Sequence, residues 1–388
     1  CFKRDVRMIE EVSLVDVCDI IAGQSPPSST YNQEGNGVPF FQGKADFGET
    51  YPTVRYWCNS PKKISKPDDI LFSVRAPVGP TNINNITACI GRGLAAIRCN
   101  NIERKYLLHY LRGNEEKIAS LGSGSTFKAI TIGTLKELKI PFPPLDQQKK
   151  IAAVLDAADG YRQKTKALIS KYDELTQSLF LDMFGDPVTN PNGWEKVLFS
   201  DIATFHNGDR GKNYPSQSAF IEEGIPFINA GNLSNYSISA TGLNFISRER
   251  YDLLNAGKII IGDILFCLRG SLGKFAINST VDIGAIASSL VLIRVNQQAA
   301  LEYITGLLKS NYIKGLIEKF DNGSSQPNLS AKSVKEFLIP TPPIELQNQF
   351  AERAQAIESQ KAQAQASLTQ AEDLFNSLLQ RAFKGELV

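Results

Sequence analysis

The sequence predicts an α+β protein made by internal duplication. Two mixed α/β regions are each followed by one long helix, and the two helices pair antiparallel. Two observations carry this. First, Ile151, Leu155, Ala158, Arg162, Thr165, Ile169, Tyr172, Thr176, Leu179 and Met183 recur in alternating steps of four and three. Phe350, Ala354, Ile357, Lys361, Ala364, Leu368, Ala371, Phe375, Leu378 and Ala382 repeat the pattern, each 199 residues later. Steps of four and three give the period that keeps one stripe of a helix facing a partner helix. Second, short blocks outside the helices recur in the same order, with an offset that grows only between blocks. Insertions therefore fall in loops, as expected of a tandem repeat.

In chain order, Leu14-Val15-Asp16-Val17 matches Phe199-Ser200-Asp201-Ile202, and Gly23 matches Gly208, at an offset of 185. Val38-Pro39-Phe40-Phe41 matches Ile225-Pro226-Phe227-Ile228 at 187, and Asp69-Ile70-Leu71-Phe72 matches Asp263-Ile264-Leu265-Phe266 at 194. From Ser123 to Gln147 the match is ungapped at 199. Strands are expected at Ile70 to Val74, Ala95 to Arg98, Ile259 to Ile261 and Ser289 to Val295, where β-rich runs lie between Gly, Pro and Asn. One helix is expected over Arg104 to Ala119, with a counterpart over Ala300 to Phe320. Ile140 to Pro144 and Ile339 to Pro343 cannot be helical, because proline removes donors and restricts its neighbour.

The long helices are expected over Leu145 to Phe184 and Ile344 to Phe383, with Asp146 and Glu345 facing unpaired N–H groups in the first turns. Helices of this length would each span roughly 60 Å, which suits a spacer better than a core helix. Arg162 and Lys361 interrupt the stripes at equivalent places, where a charge can set register or reach out to solvent. Gly185-Asp186-Pro187 stops the first helix and Asn190-Pro191-Asn192-Gly193 is a linker. The expected division is 1–144, 145–186, 187–343 and 344–388.

The 388 residues suffice for two or three domains, and 42% apolar with 21% charged residues is the composition of a soluble globular protein. No apolar run is long enough to cross a membrane, and Cys1-Phe2-Lys3-Arg4-Asp5 lacks the apolar core of a signal peptide. Cys1 stands where a starting Met is expected, and Met8 is an alternative start. Six scattered cysteines and two histidines predict a reducing cytoplasm and no metal site. The net charge of +2 is too small to announce a nucleic-acid partner by itself.

Several enzyme lookalikes fail on inspection. Ser25-Pro26-Pro27-Ser28 resembles the catalytic tetrapeptide of amino-methyltransferases, but Ser28 stands where an aromatic should stack on the flipped base. Pro67-Asp68 with Glu103 and Lys105 resembles a nuclease metal constellation, but the second copy of the repeat lacks the Glu-x-Lys. Gly270-Ser271-Leu272-Gly273-Lys274 lacks the spacing of a phosphate-binding loop. His109 has no nucleophile or carboxylate partner in sequence and reads as a surface or core histidine. No catalytic set emerges.

The loops are rich in Asn, Gln, Ser and Thr with scattered Arg and Lys, the side chains that contact phosphates and base edges. Leu14 to Pro144 carries 15 basic and 11 acidic residues, a net of +4; Glu195 to Pro343 carries 14 and 13, a net of +1. Sugar or protein binding would use similar loops.

The repeated Pro-Pro-Leu-Asp-Gln-Gln (143–148) and Pro-Pro-Ile-Glu-Leu-Gln (342–347), the Gly-Ser-Thr and Gly-Ser-Ser-Gln loops and the repeated Asp-Ile-Leu-Phe run in one order through the chain. So do Leu181-Asp182-Met183-Phe184-Gly185-Asp186-Pro187 and the ending Ala382-Phe383-Lys384-Gly385-Glu386-Leu387. In these features the chain resembles the specificity subunits of type I restriction–modification systems. The resemblance implies two α/β target-recognition domains joined by two long conserved helices that pair as an antiparallel coiled coil, with an internal pseudo-two-fold repeat. Each domain would read one half of a bipartite, asymmetric site in double-stranded DNA, and helix length would set the unread spacer. The chain itself would be non-catalytic and would hold no cofactor. Two modification subunits would bring S-adenosylmethionine and methylate adenine N6 after base flipping. Any restriction subunits, up to two, would add ATP- and Mg-dependent translocation and cleavage. The other reading is a DNA-binding scaffold or regulator without a methyltransferase partner.

Candidate DNA-binding residues are Gln42, Lys44, Arg75, Arg92, Ser125, Thr126 and Lys128 in the first region. Asn229, Asn232, Arg269, Lys274, Ser324, Ser325 and Gln326 are the candidates in the second. Arg75 and Arg269 each follow the Asp-Ile-Leu-Phe strand by three residues, and a basic residue at a strand end can reach a phosphate or the O6/N7 edge of guanine. Gln147, Gln148, Gln347 and Gln349 are expected on outer helix faces that dock the modification subunits.

Overall fold

A computed structural model describes residues 10–122, 129–320 and 328–387. The chain divides into two compact units. The first contains the residues up to Ala167 together with those from Gln365 onward; the second is Leu168–Ala364. Each unit therefore holds part of both long helices, which run Leu145–Phe184 and Ile344–Phe383.

In the first unit a four-stranded antiparallel sheet has the order Cys18–Ala22, Leu94–Cys99, Ile70–Ser73, Thr81–Ile83. A five-stranded sheet contains one parallel pair, Val38–Phe41 with Ala88–Ile90. Glu11–Ser13 pairs with Lys139–Pro141 at the proline hinge. The second unit repeats the plan. Its four-stranded sheet has the order Ala203–Asn207, Leu290–Val295, Ile264–Cys267, Phe275–Ile277. Its parallel pair is Ile225–Ile228 with Ala285–Ile286, and Lys196–Leu198 pairs with Leu338–Pro340.

The Asp of each Asp-Ile-Leu-Phe block has a structural task. Asp69 is buried and takes both Nε and Nη2 of Arg98, at 2.9 and 2.8 Å. Asp263 takes the same two atoms of Arg294 at 2.8 and 2.9 Å. Each carboxylate also accepts a backbone N–H three residues back, from Lys66 and from Ile260. The second contact corrects one expected element: Ile259 to Ile261 is not a strand but the turn that this carboxylate closes.

The two expected surface helices are each broken in two, into Arg104–Gly113 and Glu115–Ser120, and into Leu301–Leu308 and Asn311–Phe320. At the first break the Asn114 amide donates to the Tyr110 carbonyl, and Gly113 packs so closely on Leu379 that a β-carbon would lie 2.4 Å from it. At the second, the Ser310 hydroxyl donates to the Leu307 carbonyl. Local side-chain bonds of this kind compete with the helical ladder.

Both long helices start at the proline hinges, and their pairing is antiparallel within each unit. In the first unit the Arg162 guanidinium lies 4.3 Å above the Phe375 ring and Lys166 pairs with Glu372 at 3.1 Å. In the second, Lys361 pairs with Asp173 at 2.6 Å, and Phe350 packs edge-on against Phe180 and Phe184. Most of the second helix's stripe is buried, including Phe350, Ala354, Ala364, Leu368, Ala371, Phe375 and Ala382. On the first helix the stripe drifts at its C-terminal end. Phe180 and Phe184 are buried there, one residue on from the expected Leu179 and Met183. The extra side to be filled is Tyr303, whose ring stacks on Phe180 at 5.6 Å. Gly185 and Trp194 finish the helix, with Gly185 N–H donating to the Leu181 carbonyl and Trp194 Nε1–H to the Phe184 carbonyl.

Two of the glutamines expected on outer faces are inside. Gln148 is fully buried: its Oε1 accepts the Glu103 N–H at 2.8 Å and its Nε2 donates to the Pro143 carbonyl at 2.8 Å. Gln347 repeats this with the Ala300 N–H at 3.0 Å and the Pro342 carbonyl at 2.7 Å. The Pro143 and Pro342 carbonyls lie beyond the ends of their strands, and the first N–H groups of the neighbouring helix are orphans; one primary amide satisfies both. Gln148 and Gln347 are therefore clamps and have no free face for a partner subunit. Gln148→Ala leaves a buried donor and acceptor unpaired and is expected to cost about 1–3 kcal/mol in urea unfolding of the full chain. An unchanged midpoint would show that the amide does not hold the hinge.

Candidate nucleic-acid interface

The site is built from the far end of the strand that begins at the buried aspartate. In the first unit Ile70–Ser73 runs from Asp69 and delivers Arg75 to the surface. Around it, Val74 N–H donates to the Gly93 carbonyl and Ile130 N–H to the Val74 carbonyl, while Arg75 bridges to Ala129. Ala129 is the first described residue after 123–128. Arg92 sits between Gly91 and Gly93 and is exposed; a β-carbon on Gly93 would lie 2.5 Å from the Gln42 carbonyl oxygen. Gln42, Arg75 and Arg92 thus share one corner. Arg75 and Arg92 line the same cleft of about 230 Å³, floored by Ala22, Gly23, Leu94 and Ile130. The Gln42 N–H is held by the buried Asp46 carboxylate at 2.7 Å, which leaves Gln42 exposed at the start of the short Lys44–Asp46 turn. Lys44 is exposed on that turn, within the electrostatic reach of Glu115.

The second unit repeats the corner with different side chains. Leu268 N–H donates to the Ser289 carbonyl, Leu329 N–H to the Leu268 carbonyl, and Arg269 bridges to Asn328. Arg269 and Lys274 flank one turn, closed by Cys267 N–H on the Lys274 carbonyl. Lys274 Nζ reaches the Ala230 carbonyl at 3.1 Å, which brings it beside Asn229. Asn229 is half-buried, with Oδ1 accepting the Gly231 N–H at 2.8 Å. Asn232 is misplaced among the candidates. It is 2% exposed, its Oδ1 accepts the Asn229 N–H at 3.0 Å and its amide donates to the Gly242 carbonyl at 3.1 Å. It closes the turn as Asp46 does in the first unit, so it cannot reach a base. Ser125, Thr126, Lys128, Ser324, Ser325 and Gln326 lie outside the described residues. Gln147 is half-buried and Gln349 exposed on the long helices.

The lookalike residues have been taken up by the fold. Asp68 pairs with Arg104, Glu103 caps the helix that starts there, and Lys105 pairs with Asp156 at 2.6 Å. Ser25 Oγ accepts the Arg92 N–H at 3.2 Å, and the Pro26 carbonyl accepts the Tyr31 hydroxyl at 2.7 Å. His109 is a core histidine whose Nε2 lies 2.8 Å from Asp156 Oδ1. One exposed cation at this corner is not among the residues singled out from the sequence: Arg210, whose Nη2 donates to the Ser288 carbonyl at 3.3 Å. The match of Gly208 to Gly23 placed it two residues on, opposite Ser25.

In each α/β unit a strand locked at its beginning by a buried ion pair ends beside an exposed arginine, Arg75 in one and Arg269 in the other. The family model of the type I restriction modification DNA specificity domain matches residues 7–171 and 191–370, most of the chain. The chain belongs to that family and is a DNA specificity subunit, which recognises sequence and does not catalyse. The putative type I restriction enzyme MjaX specificity subunit of Methanocaldococcus jannaschii is 48% identical over 167 residues, spanning 42% of this chain and 39% of that one. The type I restriction enzyme EcoBI specificity subunit of Escherichia coli is 22% identical over 97% of this chain and 85% of its own length. The crystal structure of the type I restriction–modification S subunit from M. genitalium shares the fold, with TM-score 0.64 and 18% identity over 98% of each chain. No helix among the described residues is long and apolar enough to cross a membrane.

Burial of His109 gives this unit a pH dependence. Desolvation holds its imidazole below the ordinary 6.5, outweighing the hydrogen bond to the Asp156 carboxylate that favours the charged form. The folded state keeps His109 neutral while the unfolded chain binds a proton below pH 6.5. Stability from this group is therefore complete above that value and is lost as pH falls from it toward the lowered folded value. Urea unfolding of the full chain at about pH 7.5 and about pH 5.5 should show a loss on acidification that His109→Gln reduces. An identical loss in the variant would assign the effect elsewhere.

Proposed function

We propose that the regions 1–144 and 187–343 each read one half of a bipartite, asymmetric sequence in double-stranded DNA, while the helices at 145–186 and 344–388 set the unread spacer. The observation that carries this reading is the equivalent placement of Arg75 and Arg269. Each lies exposed beyond the end of a strand whose beginning is locked by a buried ion pair. A guanidinium on a rigid strand end is preorganised for a bidentate contact with guanine O6/N7 or for a phosphate. Neighbouring side chains differ between the units, as two unlike half-sites require.

In this reading two modification subunits dock on the long helices, at the half-buried Gln147 and the exposed Gln349, and methylate adenine N6 with S-adenosylmethionine. Two restriction subunits contribute ATP- and Mg-dependent translocation and cleavage. The assembly works in the cytoplasm, with the DNA.

Mapping N6-methyladenine across the genome, with and without this gene, tests the role directly. Deletion should abolish one bipartite motif. No change in any motif, with an active partner methyltransferase present, would refute the specificity role. Within that role, Arg269→Ala is expected to weaken binding to the methylated motif by about 1–3 kcal/mol and to relax one half-site. Unchanged affinity and an unchanged motif would remove Arg269 from the interface.

A further inference from the structure

The two units present a guanidinium at the same corner, but from opposite sides of it. In the first unit the cation is Arg92, on the turn that leads into the central strand Leu94–Cys99, and its backbone N–H donates to Ser25 Oγ at 3.2 Å. In the second unit the equivalent turn, leading into Leu290–Val295, carries Ser288, and the position of Ser25 is held by Arg210. The equivalence rests on register. Leu94 N–H donates to the Gly91 carbonyl and Leu290 N–H to the Ala287 carbonyl, both at 3.0 Å. Gly23 and Gly208 press their backbones onto these turns: a β-carbon would lie 2.1 Å from the Gly91 oxygen in one case and 2.5 Å from the Ala287 oxygen in the other. Serine and arginine have exchanged places across the corner, and Arg210 Nη2 donates across it to the Ser288 carbonyl at 3.3 Å.

The loop under Arg210 is built to hold it. Asp209 is 6% exposed, and its carboxylate accepts the Gly211 N–H at 2.6 Å and the Asn255 N–H at 2.7 Å. Those backbone donors hold the carboxyl below the usual range, so the turn stays pinned at neutral pH. Arg210 itself is exposed, and the Ser288 carbonyl that it reaches is next to the Ser289 carbonyl, which accepts the Leu268 N–H beside Arg269.

We propose that Arg210 contacts a backbone phosphate of the half-site read by the second unit, the counterpart of Arg92 in the first. This rests on the DNA-reading role proposed above and extends it to a residue and a type of contact. A cation kept at one place in both units, although the chain delivers it from different sides, serves something common to both half-sites. Bases differ between half-sites, whereas phosphates do not. Arginine suits the task because a guanidinium tied to a carbonyl by one amino group still offers N–H donors to a phosphate.

The test uses the full chain, a duplex carrying the motif found by methylation mapping, and a duplex of equal length without it, titrated over a range of salt. Arg210→Ala should weaken binding to both duplexes by a similar factor, about three- to tenfold, and reduce the slope of log affinity against log salt by about one. Arg92→Ala should do the same, and the double variant should lower the slope by about two. Arg210→Lys keeps the charge and should restore the slope. Unchanged affinity and slope in Arg210→Ala would overturn the proposal, as would a loss confined to the motif duplex, or a Lys variant that behaves like Ala. Failure of the unaltered chain to bind either duplex would instead overturn the DNA-reading role itself.

Discussion

Each unit depends on a buried carboxylate that would be ruinous if unpaired. Asp69 and Asp263 are removed from water, where an isolated charge costs several kcal/mol or more. Each is rescued by a two-pronged arginine from the adjacent strand and by a backbone N–H behind it. Such a pair adds little net stability, since desolvation consumes most of the attraction. What it supplies is register. A one-residue slip between Ile70–Ser73 and Leu94–Cys99 would strand the carboxylate and turn every side chain to the wrong face. With the beginning of the strand locked, its end is located within four residues, and there the exposed Arg75 or Arg269 stands.

A second constraint joins the sheets to the long helices. The hinge carbonyls and the first N–H of the neighbouring helix all need partners, and in both units the same side-chain bonds supply them. A buried tyrosine hydroxyl donates to Pro141 or Pro340, and a buried glutamine amide donates to Pro143 or Pro342. The glutamine oxygen then accepts the N–H at the start of the neighbouring helix, at Glu103 or Ala300. The helix is thereby attached to the α/β region at two points of known geometry. A rigid attachment is what a spacer needs, because slack at the hinge would blur any distance the helix sets.

The sequence was legible where the physics is local and periodic. The long helices were bounded to the residue because prolines precede them and Gly185 or Gly385 follows within two residues. The strand-end arginines were legible because the repeat displayed the same four residues twice. Tertiary needs defeated the rest. Gln148, Gln347 and Asn232 look like surface amides in a one-dimensional reading, and only the three-dimensional position of an orphan carbonyl or N–H explains why they are inside. Phe180 and Phe184 left the heptad stripe because Tyr303 approaches from the side. Arg210 was hidden because its equivalence with Arg92 lies in the pairing of strands and in no shared sequence position.

The differences between the units are as informative as the similarities. At the contact between a surface helix and a long helix, Lys105 pairs with Asp156 in the first unit; in the second, Glu302 accepts a hydrogen bond from Gln355 at the equivalent place. Charge and side chain have changed while the contact has remained. The same holds where Asn232 replaces Asp46 in closing a turn. A duplicated scaffold can therefore change nearly every residue it uses, provided each buried polar group finds a partner. Residues at the rim carry no such obligation and are free to diverge. In this architecture a feature held constant in space at the rim, against divergence of the residues that supply it, is better evidence of a shared ligand than identity of sequence.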